Sequence, residues 1–302
     1  MKLIIQPDDG MAPVIAAIRS ARSSIDTTVF RFDRPEVEKA LATAVSHGVR
    51  VRALVAHTNR GGEKRLRKLE QSLLAAGVTT ARTGDDLVRY HGKILIIDGK
   101  TLHVMLFNYT GLDLKSRSFA IATRQRSFVT EAMRLFEADT TRQPYETSVP
   151  GLVVSPENAR KQLADFLGKA KKELCIYDPK VSDGPMVRLL GERVRKGVDV
   201  RIIGALGARA TPLRAVKLKS LRLHARCIIR DGRHAFLGSQ SLRALELDSR
   251  REVGIIVRDP TIVKRLRDVF ESDWATTVAA ANGDDLKQKG RDKGEEREAL
   301  SA

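Results

Sequence analysis

Residues 91–98 read HGKILIID, and residues 224–231 read HARCIIRD. In each stretch a histidine and an aspartate stand seven residues apart, and a cation follows the histidine by two. The first copy holds His91, Lys93 and Asp98; the second holds His224, Arg226 and Asp231. The aliphatic run inside each copy suits a buried strand, and its Asp-Gly ending is a strong hairpin signal. Another strand follows in each, TLHVMLF and then HAFLGS. Residues i and i+2 of a strand share a face, so each histidine and its cation point the same way. Seventeen residues after each histidine sits a small polar residue, Asn108 or Ser241. Equal phase at several positions predicts an internal repeat.

The repeat extends on both sides. Residues 14–55 match residues 161–204 in pattern: an amphipathic helix, a β-rich strand, a second amphipathic helix, a glycine (Gly48, Gly197) and another strand. Glycine suits a helix C-terminus because the left-handed conformation there carries no Cβ penalty. Both halves close on a helix with similar endings, LFEAD (135–139) and VFESD (269–273). The alternation of strands and helices predicts an α/β protein. Residues 140–151, TTRQPYETSVPG, lack apolar periodicity and mark the boundary, giving a first half over 1–145 and a second over 150–279. GGEKRLRKLEQSLLAAG (61–77) adds a charged helix to the first half that shortens to a basic loop in the second. The mixed-charge stretch 280–302 is poor in apolar residues and is expected to be a disordered tail.

Charge narrows the partners. Lys and Arg number 54 against 37 acids, a formal net charge of +17, which favours polyanions such as nucleic acid or an anionic lipid surface. Asp8 and Asp9 interrupt the N-terminus before an apolar run long enough for a secretory signal, and no stretch approaches the ~20 apolar residues that span a bilayer. Cys175 and Cys227 form neither a disulfide framework nor a metal-ligand spacing. The expectation is a cytoplasmic protein, peripheral at most to a membrane. His47, His57, His103 and His234 stand outside the repeat and read as structural core histidines.

The two motifs resemble the signature of the phospholipase D superfamily, HxKxxxxD followed in the next strand by GSxN. Where the family has GSxN, the first copy has Met105, Leu106, Phe107 and Asn108, and the second has Gly238, Ser239, Gln240 and Ser241. Glu252, in SRREVGIIV, matches the acid that usually follows. PDDGMAPVIAAIRSARSSID is similar to the start of cardiolipin synthase-type members. The likeness runs from Leu3 to about Trp274. It implies two similar α/β/α sandwich halves with mixed central sheets, related by a pseudo-twofold axis and sharing one active site. The protein would then be a monomer with an internal pseudo-dimer.

The resemblance also implies roles. One histidine attacks phosphorus to give a phosphohistidine, and the other is the general acid and base. Lys93, Arg226, Asn108, Ser239 and Ser241 would hold the phosphoryl oxygens in place of a metal ion, so no cofactor and no metal is expected. Asp98 and Asp231 would fix the hairpins. Because an acid of one half commonly orients the histidine of the other, Glu252 would hold His91, the nucleophile. His224, with no acid near Ser118 or Phe119, would be the general acid. The copies have decayed in complementary ways: the first lacks Gly-Ser, and the second has Arg226 for lysine, which is not an equivalent cation, and Ser241 for asparagine.

The expected function is a metal-independent phosphodiesterase or phosphatidyltransferase acting on phospholipids. A nuclease of the same superfamily cleaving DNA or RNA, and a non-catalytic polyanion-binding relative, are the alternatives.

Overall fold

The structure is a computed structural model that describes residues 1–59, 61–147, 149–207 and 212–299, with side chains up to residue 279. The first half runs β1 (Lys2–Gln6), α1 (Ala12–Arg19), β2 (Ser24–Val29), α2 (Pro35–Ser46), β3 (Arg50–Val55), α3 (Glu63–Ala75), β4 (Thr79–Arg82), β5 (Arg89–Tyr90), β6 (Ile94–Ile97), β7 (Thr101–Met105), a 3-10 turn (Asp113–Lys115), β8 (Ser116–Thr123) and α4 (Arg126–Thr141). The second runs β9 (Leu152–Ser155), α5 (Ala159–Gly168), β10 (Glu173–Val181), α6 (Gly184–Arg195), β11 (Asp199–Leu206), β12 (Ala215–Val216), β13 (Arg222–Leu223), β14 (Cys227–Arg230), β15 (His234–Gly238), α7 (Ala244–Asp248), β16 (Arg250–Val257) and α8 (Pro260–Ala299).

Local chemistry sets several of these limits. Pro35 opens α2, where its missing N–H has no helical partner to lose. Asp183 caps α6 by accepting from the Met186 N–H at 3.1 Å. Gly48 and Gly197 end α2 and α6 at φ of 80° and 81°, the left-handed conformation expected of them.

The two sheets repeat each other strand for strand. One has the order β1-β8-β7-β6-β2-β3-β4, and the other contains β9-β16-β15-β14-β10-β11-β12. Each is mixed, with β2, β3 and β4 parallel, as are β10, β11 and β12, and antiparallel pairs elsewhere along these paths. Helices α1, α2 and α3 cover the outer face of the first sheet, and α5, α6 and α7 that of the second. A third apolar layer is common to both halves, joining Ile94, Val104 and Phe136 of the first to Tyr177, Ile229 and Phe270 of the second. The expected pair of α/β/α halves with mixed sheets is therefore what the chain forms.

Two strands cross over. The two-residue β5 of the first half pairs in parallel with β16 of the second, and β13 of the second pairs in parallel with β8 of the first. Each immediately precedes a motif histidine, so each histidine is presented along the opposite half's sheet. At the C-terminus, the backbone of the stretch expected to be disordered continues α8 as helix to Ala299. Residues 300–302 lie outside the described residues. No described helix is long and apolar enough to cross a membrane.

Candidate active site

The strand exchange delivers the histidines in the same manner. The His91 N–H donates to the carbonyl of Arg251 on β16 at 2.7 Å, and the His224 N–H to that of Arg117 on β8 at 3.0 Å. Both side chains are almost wholly buried. They occupy one site, because the charges of Arg226 and His224 act on His91 while those of Lys93 and Arg226 act on His224.

Glu252 pairs with His91. Its Oε2 lies 2.9 Å from His91 Nδ1, across the interface between halves. Lys93 sits on the other side of the ring: its Nζ is 3.1 Å from Nε2 and donates to the His91 carbonyl at 2.7 Å. This pair of neighbours favours one tautomer, with the proton on Nδ1 and the Nε2 lone pair available. Phe30 packs edge-on against the ring, centroids 4.5 Å apart. Burial, followed by Lys93, Arg226 and His224, drives the His91 pKa well below the ordinary value, so the ring stays neutral. Burial likewise raises the Glu252 carboxyl, against the pull of Lys93, and lowers Lys93 to about 7.

The expectation that His224 lacks an acid is corrected. Asp113 Oδ1 lies 2.6 Å from His224 Nδ1, a close contact whose direction falls short of a regular hydrogen bond. Asp113 comes from the 3-10 turn, not from the strand position matching Glu252. Strand register puts Ser118 at that position, since Gln6 faces Ser118 as Ser155 faces Glu252. A turn can supply the acid because the Asn108 N–H, the Asn108 amide and the Thr110 hydroxyl all donate to Asp113 Oδ2, at 3.1, 3.2 and 2.5 Å. Burial works to raise the Asp113 pKa, but His224, Thr110 and Asn108 outweigh it and hold the carboxyl well below its usual range. Burial lowers His224 to about 4, with Asp113 opposing. Spacing alone does not single it out: Asp113 follows Asn108 by five residues, just as Glu246 follows Ser241. Glu246, however, pairs with Arg250 at 2.9 Å and Arg243 at 3.3 Å.

The remaining predicted residues divide. Arg226 repeats the role of Lys93, donating to the His224 carbonyl at 3.3 Å, and its Nε reaches Ser241 Oγ at 3.2 Å. Asn108 gives its amide N–H to Asp113 and keeps a buried, unpartnered Oδ1. Ser239, expected on phosphate, is fully buried instead; its hydroxyl accepts from the Val253 N–H at 3.1 Å and stands beside Glu252. Asp98 accepts from the N–H groups of Arg22, Ser23 and Ser24, and Asp231 from those of Lys171, Lys172 and Glu173. Each aspartate therefore ties its hairpin to the start of the neighbouring strand, away from the histidines. Of the histidines read as core, His103 is buried on β7, but His47 is exposed at the end of α2.

Among the described residues, one cluster has metal-ligand character: Glu173, Cys175 and Glu271. The guanidinium of Arg201 already fills it, 2.7 Å from Glu271 and 3.3 Å from Cys175 Sγ.

A family profile described as cardiolipin synthase, PLD-like domain, matches residues 14–140 and 163–274. No curated protein matches the sequence. Polyphosphate kinase from Porphyromonas gingivalis superposes with a TM-score of 0.74 at 18% identity, over 90% of this chain. The match covers 50% of that kinase, so the chain spans half its length. Phosphatidylserine synthase from Haemophilus influenzae Rd KW20 gives 0.70 at 11% identity, over 91% of this chain and 86% of the synthase. Nuc from Salmonella typhimurium, a phospholipase D family member, gives 0.42 at 21%, over 47% of this chain and 95% of Nuc. These likenesses concern the fold. The profile spans both histidine motifs and well over half of the residues, and on that ground the chain belongs to the cardiolipin synthase, PLD-like family of the phospholipase D superfamily.

Proposed function

We propose that this chain is a metal-independent phosphodiesterase or phosphatidyltransferase that works on phospholipids through a phosphohistidine on His91. The observation that carries this reading is the setting of His91, with Glu252 on Nδ1, Lys93 beside Nε2 and burial keeping the ring neutral. In the first step Nε2 attacks phosphorus and the bond to the leaving oxygen breaks, while His224 gives its proton to that oxygen. In the second step water or an acceptor alcohol gives its proton to His224, its oxygen bonds to phosphorus, and the P–N bond breaks. Asp113, held ionised, favours the imidazolium on His224 that the first step requires. Lys93 and Arg226 meet the non-bridging oxygens.

Three observations support an anionic lipid. The family profile carries the cardiolipin synthase description, and a phosphatidylserine synthase shares the fold. Of the five large apolar side chains left exposed among the described residues, Val88 lies three residues before His91 and Leu112 just before Asp113. A groove of about 450 Å³ reaches Thr110 and is lined by Arg31, Arg65 and Lys68; its acids are engaged, Asp33 by the Gly111 N–H and Glu38 by the Ser72 hydroxyl. Because such a groove would also admit nucleic acid, the nuclease remains the second reading.

Turnover of phosphatidylglycerol vesicles and of single- and double-stranded DNA by one preparation, with and without chelator, separates these readings. Chelator-resistant release of lipid headgroup is expected. The mechanism is tested with a p-nitrophenyl phosphodiester, whose leaving group needs no acid. His224→Ala is expected to release one equivalent and retain a phosphohistidine, whereas His91→Ala releases none. Strict metal dependence, or an adduct on His224, overturns the proposal.

A further inference from the structure

Two buried ion pairs connect the halves outside the reacting groups. Arg117 of β8 places Nε 2.8 Å and Nη2 3.1 Å from the Asp273 carboxylate of α8, and its Nη1 donates to the Gln6 carbonyl at 3.0 Å. Arg251 of β16 reaches Asp139 of α4 with Nε at 3.0 Å, and its Nη1 donates to the Ser155 carbonyl at 3.0 Å. Gln6 and Ser155 occupy matching places on β1 and β9. Asp139 and Asp273 are the last residues of the repeated LFEAD and VFESD endings. Each of these two pairs therefore joins one half to the other, in mirrored positions. Arg117 Nη1 also lies 3.5 Å from Asp8 and Arg251 Nη1 2.5 Å from Glu157, each in the arginine's own half.

The main-chain carbonyls of these same arginines receive the histidine N–H groups, Arg117 for His224 and Arg251 for His91, the latter also accepting from Gly92 at 2.9 Å. Buried ion pairs contribute little net stability compared with apolar packing, because both charges must leave water. What a planar guanidinium held at once by a carboxylate and a main-chain carbonyl does provide is a defined position for its own backbone. We propose that Arg117 and Arg251 are positioning residues, each clamped by the opposite half's aspartate so that its carbonyl sets the placement of one active-site histidine.

The assignment of a shared reaction rests on the proposed function, but the clamp can be read without turnover. Imidazole ¹⁵N resonances of His91 and His224 are recorded in the full chain for Asp273→Asn and Asp139→Asn. Asp273→Asn is expected to shift the His224 signals and leave His91 unchanged; Asp139→Asn is expected to do the reverse. With a p-nitrophenyl phosphodiester, each should lower kcat on the order of ten-fold at nearly constant KM. Arg117→Lys and Arg251→Lys, which keep the charge and lose the fork, should give the same selective shifts, and serve where an asparagine variant does not fold. Variants that lose thermal stability while both histidines keep their resonances, and kcat per folded molecule, would overturn the proposal and leave interdomain staples. Selective shifts in a protein without turnover would retain the clamp and reject the enzymatic reading.

Discussion

The two halves hold their histidines by the same backbone route and by different acids. His91 leans on Glu252, a residue of a central strand, fully buried and with its carboxyl raised by desolvation. At the matching place in the first half stands Ser118, whose buried hydroxyl has no partner, and His224 takes its acid from the turn before that strand. The difference is electrical as well as positional. Burial lowers both rings. His224, Thr110 and Asn108 hold Asp113 ionised against burial, and Asp113 in turn opposes the lowering of His224. Glu252 sits among cations with its own carboxyl raised by burial. The two histidines thus meet acids from non-equivalent places in the repeat, one from a central strand and one from a turn. The proposal that His91 is the nucleophile therefore rests on its own setting and not on an orphaned His224, because Asp113 stands beside His224.

Removing each acid is the most direct way to break the comparison. Asp113→Asn and Glu252→Gln should each lower kcat by about 10²-fold, within the range of general acid and base catalysis. Their pH profiles should differ in kind. Asp113 raises the His224 pKa, so Asp113→Asn moves the limb for protonated His224 to lower pH. Glu252→Gln instead removes the partner that orients His91, and should cut the rate of adduct formation with the activated substrate, which Asp113→Asn leaves nearly intact. Equal profiles for the two variants would mean that the acids are interchangeable.

The cations sharpen the same contrast with a smaller effect. Lys93 has a pKa lowered to about 7, chiefly by burial, whereas the other half carries arginine at this position. Loss of the Lys93 charge as pH rises through that value should produce an alkaline limb in kcat/KM, shifted upward in kcat when a bound phosphate steadies the ammonium. Lys93→Arg makes the halves alike. It should cost roughly ten-fold in rate at pH 6, because the fork does not fit an ammonium's place, and move the alkaline limb up by about two pH units or more. A limb that stays near 7 would assign it to another group.

Much of this was legible in the sequence. The repeat, the histidines, the cations and the pairing of Glu252 with His91 follow from phase and from the family resemblance. Three features were not legible, for physical reasons. Two-residue strands such as β5 and β13 carry no periodicity, so their exchange between sheets left no pattern. Asp113 serves His224 because Asn108 and Thr110 turn it inward, which depends on loop geometry rather than on strand position. The aspartates ending LFEAD and VFESD looked like ordinary helix termini, since their arginines lie 112 and 156 residues away in sequence.

Asp98 and Asp231 offer the smallest effect, and at them too the halves should respond alike. Both have positive φ, 54° and 53°, and both gather successive N–H groups at the start of a strand. Asparagine tolerates that backbone, so Asp98→Asn and Asp231→Asn test the carboxylate charge alone. Each should cost about 1 kcal/mol, as for a carboxylate that caps backbone donors, with little change in kcat. The sign with pH is fixed by the depressed pKa of Asp98, lowered from 3.8 to about 2: although burial opposes it, the N–H groups of Ser24, Ser23 and Arg22 favour the charged form. Its contribution is therefore complete above the unfolded pKa near 4 and is lost as pH falls towards 2. Urea midpoints of wild type and Asp98→Asn should differ at pH 7 and converge below about pH 3. A large loss of turnover in either variant at unchanged stability would contradict the reading of these aspartates as ties, and would extend the site beyond the two histidines and their acids.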